Sequence, residues 1–459
     1  MLPEIVTPIP GPRSQELAAV LSKYENRNVT YVTPDFPVFW DRASGTNVWD
    51  VDGNRFLDLT AGFAVVAHGH THPSIRAAVA EQSKKLIHAM GDVHPAENKV
   101  RLCQKLSQIT FERWGLGVGK TTLCNSGFEA VEVAIKTSLL HSGKPGAICF
   151  SGGYHGLGYG ALEVIGIRWF REPFVRQLRD FATTIPYPNC YRCPFGRSEG
   201  YRLEGSRFPN CASSCLAAIE DQIIQAIRNR QIGCILVEPC QGRGGEIVPP
   251  LDFLRMLRQI CDTYKILLVF DEIYTGFNRT GTLFASDQFG VYPDIVCLGK
   301  GLTSGFPLAA CVGRVEIMDA WPRSAGEALH TTTFLANPIG CAAALASIEL
   351  HLEAEAAGRV RALGRQLRDR LTQMALPTIG HVRGLGLMVG AEIVQADGTP
   401  NPALTLKIVL SALKDGLLIL GGGPDGNVLS FTPPFCIEPA EIDFACEQIY
   451  EYLRLGSVS

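Results

Sequence analysis

The chain has 459 residues, 46% apolar and 19% charged, with 47 Gly, 28 Pro and a net charge of −3. That length is too great for one small core and predicts two or three lobes, while so small a net charge removes the electrostatic case for nucleic acid or an anionic membrane surface. No apolar run approaches the roughly 18 residues of a membrane span, the first residues lack a basic stretch followed by an apolar one, and the 15 Cys, mostly single within apolar runs, fit a reduced, cytoplasmic protein.

In chain order, the first 30 or so residues are Pro-rich, then helical, and read as an arm. "GTNVWDVDGNRFLDLTAGFAV" alternates about Asp52–Gly53, the pattern of a hairpin. Beyond it, "AICFSG", "GCILVEP", "ILLVFDE" and "DIVCLGK" are short apolar strands separated by helical stretches. That alternation predicts an α/β fold with a mostly parallel sheet covered by helices. Residues 186–215 are a Pro-, Cys- and Arg-rich insertion. "NPIGCAAALASIELHLEAEAAGRVRALGRQLRDRLTQMA" reads as a long helical stretch, capped by Asn337 with Pro338 in its first turn. "GLGLMVGAEIV" and "NVLSFTPPF" are strands before a final helix. The division expected is 1–85 for the arm and part of a small domain, 86–338 for the large domain, and 339–459 for the rest of the small one.

Strand ends carry the chemistry. In open α/β sheets, ligands lie outside the carboxyl ends of the strands. "ILVEPCQG" puts Glu238 there, "ILLVFDE" puts Asp271, and "DIVCLGKG" puts Lys300 between two glycines. In "CNSGFEAVEVAIK", Ser126 and Glu129 match a capping box, and Gly127 leaves the first free N–H groups open to a phosphate; taken alone, the stretch reads better as an ordinary capped helix. "FSGGYHGLGYG" offers Tyr154 and His155 on a glycine-rich loop, either a ring-stacking site or a tight turn. An amine, a carboxylate, an aromatic and a phosphate-binding turn are the parts that pyridoxal 5'-phosphate chemistry requires.

The chain resembles the class III aminotransferases, pyridoxal-phosphate enzymes of fold type I, and within them the ω-transaminases. The resemblance rests on "NSGFEAVE", "YHG", "EPCQG", "VFDEIYTGF", "LGKGLTSGFPLAA" and "HTTTFLANPIGCAAALA" in that order, and covers about residues 30 to 455. It implies a large domain with a seven-stranded, mostly parallel sheet between helices and a smaller α+β domain. It also implies roles. Lys300 makes the Schiff base and moves the proton, and Asp271 pairs with the pyridine nitrogen, supported by Glu238. Tyr154 and Ile273 cover the ring faces, with His155 beside them. Ser126, Gly127 and Phe128 hold the phosphate. Thr333 is a phosphate ligand lent by a neighbouring subunit, which implies a homodimer or a tetramer built from one. Trp40 and Phe63 line the substrate pocket.

Four departures stand out. Phe128 occupies a place the family usually gives to a small residue. Tyr274 replaces a Gln near the cofactor's phenolic oxygen. Ser430 stands where many members carry the arginine that reads a substrate carboxylate, and Arg243 stands where they carry its glutamate partner. Arg243 is therefore either the new carboxylate receptor, or a loop arginine paired with Glu246 or facing solvent. Lastly, Cys190, Cys193, Cys211 and Cys215 have spacing close to that of a structural zinc site, with free thiols or a disulfide as the other readings. The expected enzyme is an aminotransferase that moves an amino group from an amine or ω-amino acid to a small 2-oxo acid such as pyruvate. A racemase or epimerase on the same fold is the first alternative. A phospho-lyase, with Arg168, Arg171 and Arg176 for a substrate phosphate, is the second.

Overall fold

The strands nearest the chemistry are apolar almost throughout because both of their faces are covered. Ile232–Val237, "IGCILV", and Leu267–Asp271, "LLVFD", are buried at every position. The computed structural model describes residues 1–195 and 211–456. It divides the chain into two compact units, Ser74–Glu353 and Met1–Pro73 with Ala354–Ser459.

In the larger unit the strands are β1 (Gly119–Cys124), β2 (Gly146–Phe150), β3 (Ala182–Ile185), β4 (Ile232–Val237), β5 (Leu267–Asp271), β6 (Ile295–Leu298) and β7 (Ala309–Arg314). They form one seven-stranded sheet in the order β1-β7-β6-β5-β4-β2-β3. Only β7 runs antiparallel to its neighbours. The carboxyl ends of β1, β2, β4, β5 and β6 therefore share one edge of the sheet. Helix Gly127–Ser142 covers one face, burying Ala130, Val131, Val133 and Ala134, and stops at Gly143 in the left-handed conformation. Helix Leu251–Tyr264 buries Phe253, Leu254, Leu257 and Ile260. Each such fully buried Val, Leu, Ile or Phe contributes about 1.5–3 kcal/mol.

The smaller unit is α+β. It holds a four-stranded sheet of Trp40–Ser44, Asn47–Asp50, Arg55–Asp58 and Leu417–Leu418, the second and third strands forming the hairpin about Asp52–Gly53. A second sheet contains Ile379–Leu385, Met388–Ile393, Val428–Phe431 and Leu420–Gly422. Helices Ala356–Gln373 and Pro439–Gly456 supply Leu363, Leu367, Leu371, Ile442 and Ile449 to its core.

Two sequence expectations need revision. The stretch after Asn337 is two helices, Pro338–His351 and Ala356–Gln373, interrupted by Leu352–Glu355. The first of these belongs to the larger unit, so the second boundary falls at Glu353/Ala354 instead of 338/339. Burial explains it: Cys341, Ala344 and Ile348 pack in one cluster with Leu102, Leu106 and Ile109. Asn337 does cap this helix, its side chain accepting from the N–H groups of Ile339 and Gly340. The first boundary lies at Pro73/Ser74, ahead of the expected 85/86. Among the described residues no helix is long and apolar enough to cross a membrane.

Candidate active site

The carboxyl ends of β5 and β6, with the turn after β1 and the loops after β2 and β4, enclose a cavity of about 450 Å³. It is lined by Ser126, Gly127, Phe128, Tyr154, His155, Gly156, Leu157, Glu238, Arg243, Asp271, Ile273, Tyr274 and Lys300. All of these lie in the larger unit.

Asp271 ends β5 and is 3% exposed. Its Oδ2 meets His155 Nδ1 at 2.8 Å, and its Oδ1 accepts the Ile273 N–H at 3.1 Å. Glu238, just beyond β4, accepts the Tyr154 N–H on Oε1 at 2.9 Å and the Gly242 N–H on Oε2 at 3.0 Å. Burial pushes Glu238 up to about 7, aided by the Asp271 charge and opposed by His155 and the two N–H donors. Burial alone would lower the His155 imidazole, but its hydrogen bond to Asp271 and the charges of Asp271 and Glu238 outweigh that and raise it. The His155 imidazole is thus bonded to one buried carboxylate, Asp271, and lies in the field of a second, Glu238, and both Glu238 and His155 hold their protons more tightly than they would free. Glu272, the adjacent acid, belongs elsewhere: its carboxylate accepts from Ala285, Ser286 and Thr275 and holds a loop.

Lys300 follows β6 with φ +44°, a left-handed conformation uncommon for a side-chain-bearing residue. Its Nζ stands 4.4 Å from the centroid of the Tyr274 ring. Burial lowers its pKa, against the pull of Asp271, Glu238 and Glu246, so the neutral, nucleophilic amine gains population. The Tyr274 hydroxyl donates to Glu246 Oε1 at 3.2 Å. The side chain is tied to the loop after β4, a bond the sequence did not suggest.

At the start of helix Gly127–Ser142 the expected capping box does not close. Ser126 is the N-cap residue but makes no side-chain capping bond, and Glu129 accepts from the Asn125 N–H at 2.8 Å. The Ser126 hydroxyl lies buried at the cavity with no partner among the described residues. A cap satisfied within the helix would have used that oxygen; here it is left for a ligand, beside free N–H groups and the positive end of the helix dipole. A Cβ on Gly127 would come 2.9 Å from Ile273 Cδ1, so a side chain here would displace the Ile273 methyl group. Phe128 is accommodated by the loop after β2. A Cβ on Gly156, whose φ is +105°, would lie 2.2 Å from Phe128 Cβ. A Cβ on Gly158 would lie 2.5 Å from Phe128 Cδ2, so this second glycine leaves room for the Phe128 ring.

Arg243 sits at the tip of the loop after β4, which is closed by paired backbone bonds between Gln241 and Ile247. It is exposed and, among the described residues, makes no ion pair; Glu246 turns instead to Tyr274. Its guanidinium lies 5.7 Å from the Tyr154 ring centroid and 5.8 Å from that of Phe170, a residue absent from the sequence-based set.

The remaining sequence candidates lie apart from this cavity or in the other unit. Thr333 is exposed, while its neighbour Thr332 accepts a hydrogen bond from Asn125 at 2.7 Å. In the smaller unit, Trp40 opens a strand with its ring edge-on to His70, Phe63 is exposed at φ +65°, and Ser430 pairs in strand register with Gly390 and Leu420. Arg171 is bound to buried Glu163 at 3.1 Å, Arg168 pairs with Glu172, and neither they nor Arg176 line the cavity. The zinc reading gains no support. The side chain of Cys211 lies outside the described residues, Cys190 and Cys193 are half-buried, and Cys215 is buried. Among the described residues no group of three or more His, Cys, Asp or Glu is placed to hold a metal ion.

The aminotransferase class-III family model matches residues 30–453. The chain belongs to the class III aminotransferases. It is similar to the alanine/serine racemase of Pyrococcus horikoshii, 35% identical over 98% of this chain and 93% of that one. It is also similar to the 4-aminobutyrate aminotransferase GabT of Escherichia coli, at 37% over 88% and 91%. Among solved structures it resembles a PLP-bound amine transaminase from an uncultivated Pseudomonas species, with a TM-score of 0.84 and 28% identity over 94% and 98% of the two chains. Its fold is accordingly that of the fold type I enzymes of this class III family.

Proposed function

We propose that this class III enzyme binds pyridoxal 5'-phosphate and moves an amino group from an amine or ω-amino acid to a small 2-oxo acid such as pyruvate. The observation that carries the reading is the convergence, in one cavity, of Lys300, the buried Asp271–His155 pair and the unpartnered Ser126 hydroxyl at a helix N-terminus. When bound, the cofactor supplies a carbonyl carbon for the amine and a ring that takes up electron density from the substrate. The chain's own residues fit that group. Lys300 Nζ, whose pKa burial lowers, is the amine for the covalent bond and afterwards the base that carries a proton. Asp271, backed by His155, keeps a proton on the ring nitrogen. Ser126 Oγ and the N–H groups of Gly127 and Phe128 hold the phosphate, while Tyr154 and Ile273 flank the ring. Thr333 is the residue that a second copy of the chain would bring to the phosphate.

Arg243 is the cation available to a substrate carboxylate, because within the cavity Lys300 is assigned to the cofactor and His155 to Asp271. A charge-assisted contact of this kind contributes about 1.5–3 kcal/mol. The arginine that many members carry is Ser430 here, and a pocket with Tyr154, Phe128 and Leu157 suits apolar amine substituents. An aryl-alkyl amine with pyruvate should therefore exceed glutamate with 2-oxoglutarate in kcat/KM. Steady-state kinetics on a donor and acceptor panel test this; glutamate as the best donor, unaffected by Arg243→Ala, overturns it.

The similarity to the Pyrococcus racemase favours one second reading, inversion of an amino acid's α-carbon by Lys300 and a second proton-bearing group. Incubation with one pure enantiomer and no oxo acid separates the two: a racemase generates the mirror form catalytically, whereas an aminotransferase stops after a single half-turnover.

A further inference from the structure

We propose that Phe170 is a positioning residue for substrate-carboxylate recognition: with Tyr154 it forms a two-ring seat that holds the Arg243 guanidinium at the mouth of the cavity. This rests on the assignment of Arg243 as the carboxylate receptor and extends it to a segment that touches neither cofactor nor reacting atoms.

The seat is defined by three rings and one cation. Tyr154 and Phe170 lie with centroids 5.5 Å apart and planes inclined at 68°, so their faces form an open corner. Arg243 occupies it, 5.7 Å from one centroid and 5.8 Å from the other. Trp169 packs edge-on against Phe170 at 4.7 Å. A guanidinium over an aromatic face is attracted by the ring quadrupole and keeps its N–H groups free in the plane, where a carboxylate can take two of them. An exposed arginine without such support samples many rotamers, and ordering it on binding costs affinity.

Phe170 is itself held. It belongs to the short helix Arg168–Arg171, and Arg171 binds the fully buried Glu163 carboxylate at 3.1 Å. That ion pair ties this helix to helix Tyr159–Glu163, which follows the Tyr154 loop. The two rings of the seat are therefore fixed by the same piece of backbone, and the arginine arrives from a separate loop, after β4. The seat confers no chemistry of its own. Its effect is confined to whichever substrate carries the carboxylate.

The test is a comparison of KM values on the cofactor-loaded enzyme, with melting temperature and cofactor content as folding controls. Phe170→Leu should raise KM for pyruvate about two- to fivefold, leave KM for a carboxylate-free amine such as 1-phenylethylamine within error, and leave kcat nearly unchanged. Phe170→Tyr, which keeps the ring, should restore the parent KM. In an Arg243→Ala background, Phe170→Leu should add nothing further, since the two act through one contact. If Phe170→Leu lowers the melting temperature, Phe170→Met, closer in volume, takes its place. Equal increases in KM for amine and oxo acid, or an effect that persists without Arg243, would make Phe170 a pocket wall and end the proposal. If Arg243→Ala itself leaves KM for pyruvate unchanged, the carboxylate assignment fails first, whatever Phe170 does.

Discussion

Replacing Asp271 with Asn keeps the shape of the side chain and removes its charge. The consequence is set by how the carboxylate is held. It is 3% exposed, as is His155, and the two meet at 2.8 Å, so water screens little of their interaction. The Oδ1 that accepts from Ile273 would survive as the amide oxygen, and the backbone turn after β5 should keep its course. What is lost is the charge that supports a raised His155 and that, in the proposed function, keeps a proton on the ring nitrogen. Removing one partner from a buried charged pair costs about 3–5 kcal/mol, and each 1.4 kcal/mol is about tenfold in rate. Asp271→Asn should therefore lower kcat by about 10²–10⁴ while the protein still binds cofactor through Lys300 and the phosphate site. The assay is saturating amine and pyruvate at equal cofactor occupancy, the latter measured by absorbance after alkaline release. A kcat within tenfold of the parent at full occupancy would show that another carboxylate holds the ring nitrogen, with Glu238 the first to examine.

Three further outcomes are expected. Lys300→Ala should lose the near-visible absorption band of the cofactor and the adduct that borohydride traps on residue 300; retention of either removes the lysine from its assigned role. Ser126→Ala should weaken cofactor binding by about 0.5–1.5 kcal/mol without lowering the melting temperature of the cofactor-free protein, because the hydroxyl makes no bond among the described residues; a destabilised apoprotein with unchanged cofactor affinity would make Ser126 a structural residue. Burial raises Glu238 to about 7 from 4.5, so the folded state retains a proton that the unfolded chain releases. Its contribution to stability is present below pH 4.5 and is lost as pH rises through about 7. Glu238→Gln should flatten the fall in melting temperature over that window, and an unchanged slope assigns the titration to another group.

The parts of the site visible in the sequence are those fixed by chain topology. Glu238, Asp271 and Lys300 each follow an apolar strand directly, and a parallel sheet brings such positions to one edge whatever the loops do. What stayed hidden depends on which way a side chain turns. Ser126 and Glu129 have capping-box spacing, yet the hydroxyl faces the cavity and the carboxylate serves Asn125. Tyr274 could be placed near the cofactor, but its bond to Glu246 crosses between loops and leaves no periodic trace. Phe170 sits in "RWFREPF", where neighbouring aromatics have no spacing that singles out one ring. The break at Leu352–Glu355 was equally hidden, because alanine- and glutamate-rich sequence favours helix on both sides of it.

The loop after β4 has one further consequence. One end is pinned by Glu238, whose carboxylate takes the Gly242 N–H, the other by Glu246, which takes the Tyr274 hydroxyl, and the Gln241–Ile247 backbone pair closes it between them. Arg243, at its tip, is exposed and takes no part in these three fastenings. If Arg243 reads the acceptor's carboxylate as proposed, residue 243 is an interchangeable reading head. A library confined to that codon would explore new acceptors while the proton-handling network stays in place, and the variants should differ in which acid they prefer far more than in how fast they turn over.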